Sequence, residues 1–174
     1  SGGGDAGPCV GGECAPWGTG PEPYDPACAG QAFLASAFKP PKEKCHWVDA
    51  NGGPSNVIMT PLVIDLDKDH RPEIVFQIYM GNTVVAIHGD TCKEIWRVNV
   101  QSSGFTQLAG ADLDADGFPE IVVPAAANLL VLDHNGKTLA TGPSPGGGCC
   151  GGPAIADVDG IAPPEIGMNG SVYR

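Results

Sequence analysis

One acidic segment of nine residues occurs three times in the chain, and it constrains the fold more than any other feature. The copies begin at residues 65, 112 and 157, so they lie 47 and 45 residues apart. Each copy has an acid at offsets 0, 2 and 8, a proline before the last acid and an isoleucine after it. A fixed period of this length predicts a repeat architecture in which each repeat forms one structural unit.

Short β-rich runs and turn sequences surround each acidic segment. The three segments are called loop one (65–73), loop two (112–120) and loop three (157–165) below. The predicted strands of the first repeat span 59–66, 74–78, 83–87 and 94–98. Those of the second span 108–113, 121–124, 129–132 and 137–140. The third repeat has runs at 154–158 and 166–168 and a further strand that starts at 172.

A unit of four short strands cannot cover both of its faces alone, and radial stacking of such units solves this problem. We therefore predict an all-β fold of β-propeller blades, each a four-stranded antiparallel repeat of about 45 residues. The predicted blades span about 57–102 and 103–147, with an incomplete third at 148–174. The predicted propeller is therefore partial.

The predicted propeller region, residues 45–174, follows a Gly/Pro/Cys-rich lead segment at 1–44. Because this segment lacks periodicity, we expect irregular structure that disulfides hold together, with a flexible linker as the alternative. The chain has seven cysteines, whose pairing the sequence leaves open. They are Cys9, Cys14, Cys28, Cys45, Cys92, Cys149 and Cys150. Residues 45–48 are predicted to form a short strand.

The negative charge is concentrated in the three loops. The formal net charge is −11, and eleven of the 20 acids lie in these loops. An acidic chain is a poor candidate for binding nucleic acid or an anionic membrane. No apolar run is long enough to cross a bilayer. Clustered carboxylates repel one another unless a cation joins them, so we expect a hard cation as the partner.

Acids at offsets 0, 2 and 4 converge on one point when the chain curls, and calcium takes six to eight such oxygens. Magnesium is less favoured because it retains several waters and demands octahedral geometry. Metal-free Asx-turns are the alternative. The predicted ligands are side-chain oxygens and, at offset 6, a backbone carbonyl. They are Asp65, Asp67, Asp69, Arg71, Glu73, Asp112, Asp114, Asp116, Phe118, Glu120, Asp157, Asp159 and Glu165.

The opening of each loop is similar to an EF-hand, but the remaining residues exclude that motif. An EF-hand requires a bidentate glutamate at offset 11. The residues at offset 11 are Phe76, Val123 and Met168, which are all apolar. The flanking runs are also β-rich, whereas an EF-hand requires helices. The glutamate at offset 8 is therefore the predicted substitute ligand.

The loops resemble the FG-GAP or VCBS repeat family, the calcium-loop propeller repeats of integrin α chains, over about residues 57–174. The family pattern is Asp-x-Asp-x-Asp-Gly-x-x-Asp followed by an apolar strand. Loop two matches it best, with Gly117 in place and Glu120 as the last acid. Loop one has His70 instead of the glycine, and loop three has Ile161 instead of the third acid. The resemblance implies propeller blades and calcium. Because the propellers of this family have more blades than are predicted here, it also implies a portion of a longer protein, with a ring closed by several chains as the alternative.

The sequence predicts an extracellular or cell-surface module that binds calcium as a structural ion and serves binding or adhesion. The expected partner is an extracellular protein or glycan. One alternative is the propeller scaffold of a secreted polysaccharide lyase or hydrolase. Another is a structural subunit of an extracellular assembly, which would self-associate. The four histidines are scattered and no GxSxG motif occurs, so we do not predict an enzyme.

Overall fold

The computed structural model describes residues 6–10, 13–16, 40–102, 104–144, 146 and 151–174. All regular structure in these residues is β-structure, in thirteen strands, and no helix occurs among them. The prediction of an all-β chain is therefore confirmed. The contacts divide the chain into two compact units, Ser1–Lys42 and Glu43–Arg174.

The first unit contains a β-hairpin. Strand β1 (Ala6–Val10) pairs antiparallel with β2 (Glu13–Pro16), and the Cα atoms of Cys9 and Cys14 are partners in this register. The prediction of irregular structure for the lead segment is wrong at these residues, because two short strands pair there. Cys28, Cys149 and Cys150 lie outside the described residues.

The second unit contains three antiparallel sheets, in which each strand pairs with the next one in the chain. Sheet 1 consists of β3 (Leu62–Ile64), β4 (Glu73–Ile78), β5 (Thr83–His88) and β6 (Glu94–Asn99). Sheet 2 consists of β7 (Ala109–Ala111), β8 (Glu120–Pro124), β9 (Asn128–Leu132) and β10 (Thr138–Pro143). Sheet 3 consists of β11 (Ala154–Ala156), β12 (Glu165–Met168) and β13 (Ser171–Tyr173). Each acidic loop connects the first two strands of its sheet.

Residue alternation along the strands builds one core on each side of sheet 2. Successive side chains of a strand point to opposite faces. On β8, Ile121 and Val123 therefore pack with Val75 and Val84 of sheet 1, whereas Val122 faces sheet 3. The core between sheets 1 and 2 contains Leu66, Val75, Val84, Ala86, Val100, Ile121, Val123 and Leu132. The core toward sheet 3 contains Val122, Leu129, Ile166 and Met168.

The first strands of the three sheets lie next to one another. Strand β7 contacts β3 on one side and β11 on the other. A Cβ atom on Gly110 of β7 would lie 2.8 Å from a methyl group of Ile64, so this strand approaches β3 closely. No Cα atoms of β6 and β10, the last strands of sheets 1 and 2, lie within 8 Å of each other. The indole N–H of Trp96 on β6 instead donates to the carbonyl oxygen of His134, before β10, at 2.9 Å. The two sheets thus converge at their first strands and diverge toward their last strands.

The outer face of sheet 1 is covered by the chain that precedes it. Trp47 packs edge-on against Phe76, with ring centroids 5.0 Å apart. Cys45 forms a disulfide with Cys92, in the connection between β5 and β6. The prediction of a strand at 45–48 is wrong, because these residues join no sheet and Trp47 packs against the face of sheet 1 instead. The disulfide thus lies within the second unit.

Loss of this disulfide should destabilise the second unit. The bridge closes a loop of 47 residues, and a native bridge of this span contributes about 2–5 kcal/mol, mainly by restricting the unfolded chain. We expect the double substitution Cys45→Ser and Cys92→Ser to lower the melting temperature in calorimetry. Wild-type protein treated with dithiothreitol should melt like the variant. An unchanged melting temperature would exclude a stabilising role for the bridge.

Candidate metal centres

Each acidic loop brings the carboxylates at offsets 0, 2 and 8 together. One oxygen of each acid lies within 4.8 Å of one oxygen of the other two. The three groups are Asp65, Asp67 and Glu73; Asp112, Asp114 and Glu120; and Asp157, Asp159 and Glu165. The acids at offset 4, Asp69 and Asp116, are not in these groups. Nine of the predicted side-chain ligands thus converge in threes, and two lie aside.

Loops one and two share a backbone conformation. The residue at offset 3 has positive φ in both loops, 63° at Lys68 and 64° at Ala115. The residue at offset 5 also has positive φ, 65° at His70 and 84° at Gly117. His70 therefore adopts the left-handed conformation for which glycine is the usual residue. Loop one therefore has the same backbone conformation as loop two at this position, although it lacks the glycine.

Hydrogen bonds from the backbone orient the aspartates of these two loops. Asp65 Oδ2 accepts from the His70 N–H at 3.0 Å, and Asp112 Oδ2 accepts from the Gly117 N–H at 2.9 Å. The acids at offset 4 accept from the N–H at offset 6, at 2.7 Å in both loops. Asp67 and Asp114, which belong to the convergent groups, also accept from the N–H two residues further along, at 3.1 Å in both loops.

The glutamate at offset 8 anchors each loop at the edge of its sheet. Glu73 and Glu120 are 2% and 3% exposed, although each is ionisable. One oxygen of each accepts a backbone N–H from offset 1, at 2.8 Å from Leu66 and 2.7 Å from Leu113. The other oxygen of each remains available for a cation. Burial of this kind is costly for a carboxylate unless a positive partner is present.

The surroundings disfavour the charged form of both glutamates. Burial raises the pKa of Glu73 above its ordinary value, and the carboxylates of Asp67, Asp69 and Asp65 raise it further, against the Leu66 N–H. Burial and the loop-two aspartates raise the pKa of Glu120 in the same way. Two like charges about 4 Å apart repel by about 4 kcal/mol at an effective dielectric constant of 20. A cation within each group would remove this repulsion.

Loop one also contains an orphaned oxygen. Among the described side chains, Asp65 Oδ1 is buried and has no hydrogen-bond donor. Within the described part of the chain, no lysine or arginine forms an ion pair with the three acids of loop one or of loop two. His88 Nδ1 lies 3.8 Å from Glu73 Oε1. The convergent oxygens, all of them hard and anionic, fit a hard divalent cation.

Loop three has an arginine partner, which the other two loops lack among the described residues. Arg174 Nη2 lies 2.6 Å from Asp159 Oδ2 and also binds Glu165 Oε1, to which Arg174 Nε donates at 2.8 Å. The Val158 N–H and Arg174 hold the pKa of Glu165 below its ordinary value, the opposite of Glu73 and Glu120. Sequence analysis missed Arg174, since no motif connects it with the loop.

Lys68 extends from loop one to loop two. Its Nζ lies 3.6 Å from the centre of the Phe118 ring and 3.4 Å from the carbonyl oxygen of Asp116. Phe118 also stacks on His134, with ring centroids 4.3 Å apart. Arg71, the offset-6 residue of loop one, pairs instead with Asp90 at 3.6 Å. The side chains of the two residues predicted as carbonyl donors thus make contacts outside their own loops.

The described residues form an all-β fold, and each of the three sheets of the second unit presents one acidic loop. No protein-family model and no curated protein matches the sequence. Among solved structures, the chain is similar to the V. cholerae biofilm matrix protein Bap1, with a TM-score of 0.63 and 26% sequence identity. The match covers 76% of this chain and 26% of the Bap1 chain, so this chain spans about a quarter of its length.

The described residues contain no helix that is both long and apolar enough to cross a membrane.

Proposed function

We propose that the second unit is an extracellular, calcium-stabilised module in which the sheets are β-propeller blades and calcium binds in loops one and two. The ion is structural, because each loop connects the first two strands of a sheet. The module serves binding or adhesion in an extracellular matrix. Its partner is a protein or a glycan.

The calcium assignment is carried by the convergence of three carboxylates in each of two loops, for which the described residues supply no lysine or arginine partner. The buried and orphaned Asp65 Oδ1 supports the same conclusion, because a cation would satisfy it. Calcium suits such a site better than magnesium, since it accepts six to eight oxygens in flexible geometry. Asp65, Asp67 and Glu73 would hold one ion, and Asp112, Asp114 and Glu120 the other.

The blade assignment is supported by the arrangement of the sheets. Sheets 1 and 2 stack face to face through one shared core and converge at their first strands. Sheet 3 packs on the opposite face of sheet 2. Four-stranded antiparallel units stacked in this way are the elements of a propeller. The resemblance to FG-GAP or VCBS repeats leads to the same architecture.

The extracellular role is supported by the similarity to Bap1, which is a biofilm matrix protein. A disulfide between Cys45 and Cys92 is also typical of proteins from oxidising compartments. The same similarity favours a second candidate function, that of a structural subunit of an extracellular assembly. Light scattering at increasing protein concentration distinguishes the two functions. Only a subunit of an assembly should give particles whose size increases with concentration when no ligand is added.

Removal of the loop glutamates tests the calcium assignment. We expect Glu73→Gln and Glu120→Gln each to abolish one calcium site in isothermal titration calorimetry, and the double variant to abolish both. The glutamine retains an oxygen that accepts the Leu66 or Leu113 N–H, so the loop should keep its backbone while it loses the charge. Calcium prefers ionised carboxylates, and the neutral amide is a weaker ligand.

The matched control for these variants is Glu43→Gln, which removes one exposed negative charge outside the loops. Its calcium count should equal that of the wild type. If the double variant bound as much calcium as the wild type, the loops would not be the sites and the assignment would be wrong.

A further inference from the structure

We infer that the guanidinium of Arg174 occupies the cation position of loop three, so that this loop is closed by an internal cation instead of a metal ion. The number of calcium ions that this inference predicts per chain rests on the calcium sites proposed for loops one and two. The closure of loop three by Arg174 does not depend on them.

The first support is the position of a single nitrogen atom. Arg174 Nη2 lies within hydrogen-bonding distance of Asp159 Oδ2, Glu165 Oε1 and the carbonyl oxygen of Ile161, the last at 3.3 Å. Asp159 and Glu165 are two of the three acids that converge in loop three. The guanidinium thus lies between the oxygens that a metal ion would have to join. Its planar, permanently charged group suits paired carboxylates.

The second support is strand register. On β4 and β5, Glu73 is the partner of His88. Because Ile121 pairs with Leu132 and Ile166 with Tyr173, the residues opposite Glu120 and Glu165 are Asp133 and Arg174. Asp133 Oδ1 is already bonded to the N–H groups of Asn135 and Lys137. Only the third of these positions carries a permanent positive charge.

The third support is that loop three differs from loops one and two in its sequence and in its hydrogen bonds. Offset 4 is Ile161, which is 61% exposed and supplies no carboxylate. Asp157 Oδ1 accepts the N–H groups of Gly160 at 2.6 Å and Ile161 at 3.1 Å, whereas its counterparts in loops one and two accept the N–H at offset 5. Loop three thus lacks the acid at offset 4, which lies outside the convergent groups of loops one and two, and has a guanidinium beside its own three convergent acids. One unit of positive charge suits the smaller set of acids.

The test compares calcium counts for two loop-three variants by isothermal titration calorimetry. Ile161→Asp restores the missing acid while Arg174 stays in place, and we expect no additional ion. Ile161→Asp combined with Arg174→Gln removes the guanidinium as well, and we expect one ion more than in the wild type. An additional ion in Ile161→Asp alone would overturn the inference, and so would no additional ion in the double variant.

A second arm measures hydrogen exchange in the presence of a chelator, where calcium plays no part. In loop three, the Val158 N–H donates to Glu165 and the Ile161 N–H to Asp159. We expect Arg174→Gln to accelerate exchange of these amides roughly two- to fivefold, the scale of a partly exposed ion pair. Arg174→Lys should give a smaller increase. Unchanged exchange in Arg174→Gln would contradict the closure, even if loops one and two bound no calcium.

Discussion

Chelation of calcium should lower the melting temperature of the protein by roughly 10–20 °C. One site at a calcium concentration of about 100 times its Kd stabilises the folded state by about 2.7 kcal/mol, so two sites contribute about 5 kcal/mol. In a domain of this size, 1 kcal/mol corresponds to about 2–4 °C. The physical source is the neutralisation of three convergent carboxylates in each loop. Calorimetry with excess EGTA, followed by return of calcium, measures the effect.

The double variant Glu73→Gln and Glu120→Gln is the control for this experiment. It lacks the charge of the two buried glutamates, so its melting temperature should respond little to EGTA. Magnesium added to the chelated wild type should restore only a small part of the lost stability, because the sites suit a larger ion. Equal melting temperatures of the wild type with calcium and with EGTA would contradict a structural role for the ion.

Truncation of Ile121 should have the second large effect. Ile121 is fully buried in the core that sheets 1 and 2 share. Replacement of such a residue by alanine costs about 2–5 kcal/mol, from lost transfer free energy and the cavity that remains. We expect Ile121→Ala to lower the free energy of unfolding by this amount in urea titration. Because both sheets line the cavity, both should unfold in one transition.

The matched control is Ile95→Ala on β6, since Ile95 is 40% exposed and loses less contact on truncation. Its cost should be clearly smaller than that of Ile121→Ala. Equal costs for the two substitutions, or separate transitions for the two sheets, would show that the sheets do not stack through a shared core.

The strands were predictable because hydrophobic runs and turn residues punctuate the second unit at short intervals. Strand β4, for example, begins at Glu73, next to the predicted start at residue 74. The first strand of sheet 1 is shorter than predicted and begins at Leu62, directly after Pro61. A proline has no N–H to donate to a sheet, which explains this start. Local chemistry thus determines most element boundaries.

The long-range partners were not predictable from the sequence. The bridge between Cys45 and Cys92 joins residues 47 apart, and seven cysteines allow many pairings. Likewise, Arg174 reaches Asp159 across 15 residues only because β13 pairs with β12 in one register. The convergence of acids at offsets 0, 2 and 8 followed from the repeat. The spacing of the acids did not reveal that Asp69 and Asp116 lie outside these groups.

A crystal structure of the calcium-bound protein tests the central claim most directly. The account predicts anomalous density for one ion in loop one and one in loop two, each with six to eight oxygens at about 2.3–2.6 Å. Asp65, Asp67 and Glu73 should be ligands of the first ion, and the Arg174 guanidinium should fill loop three. Crystals grown with saturating calcium that show no ion in loops one and two would contradict the account.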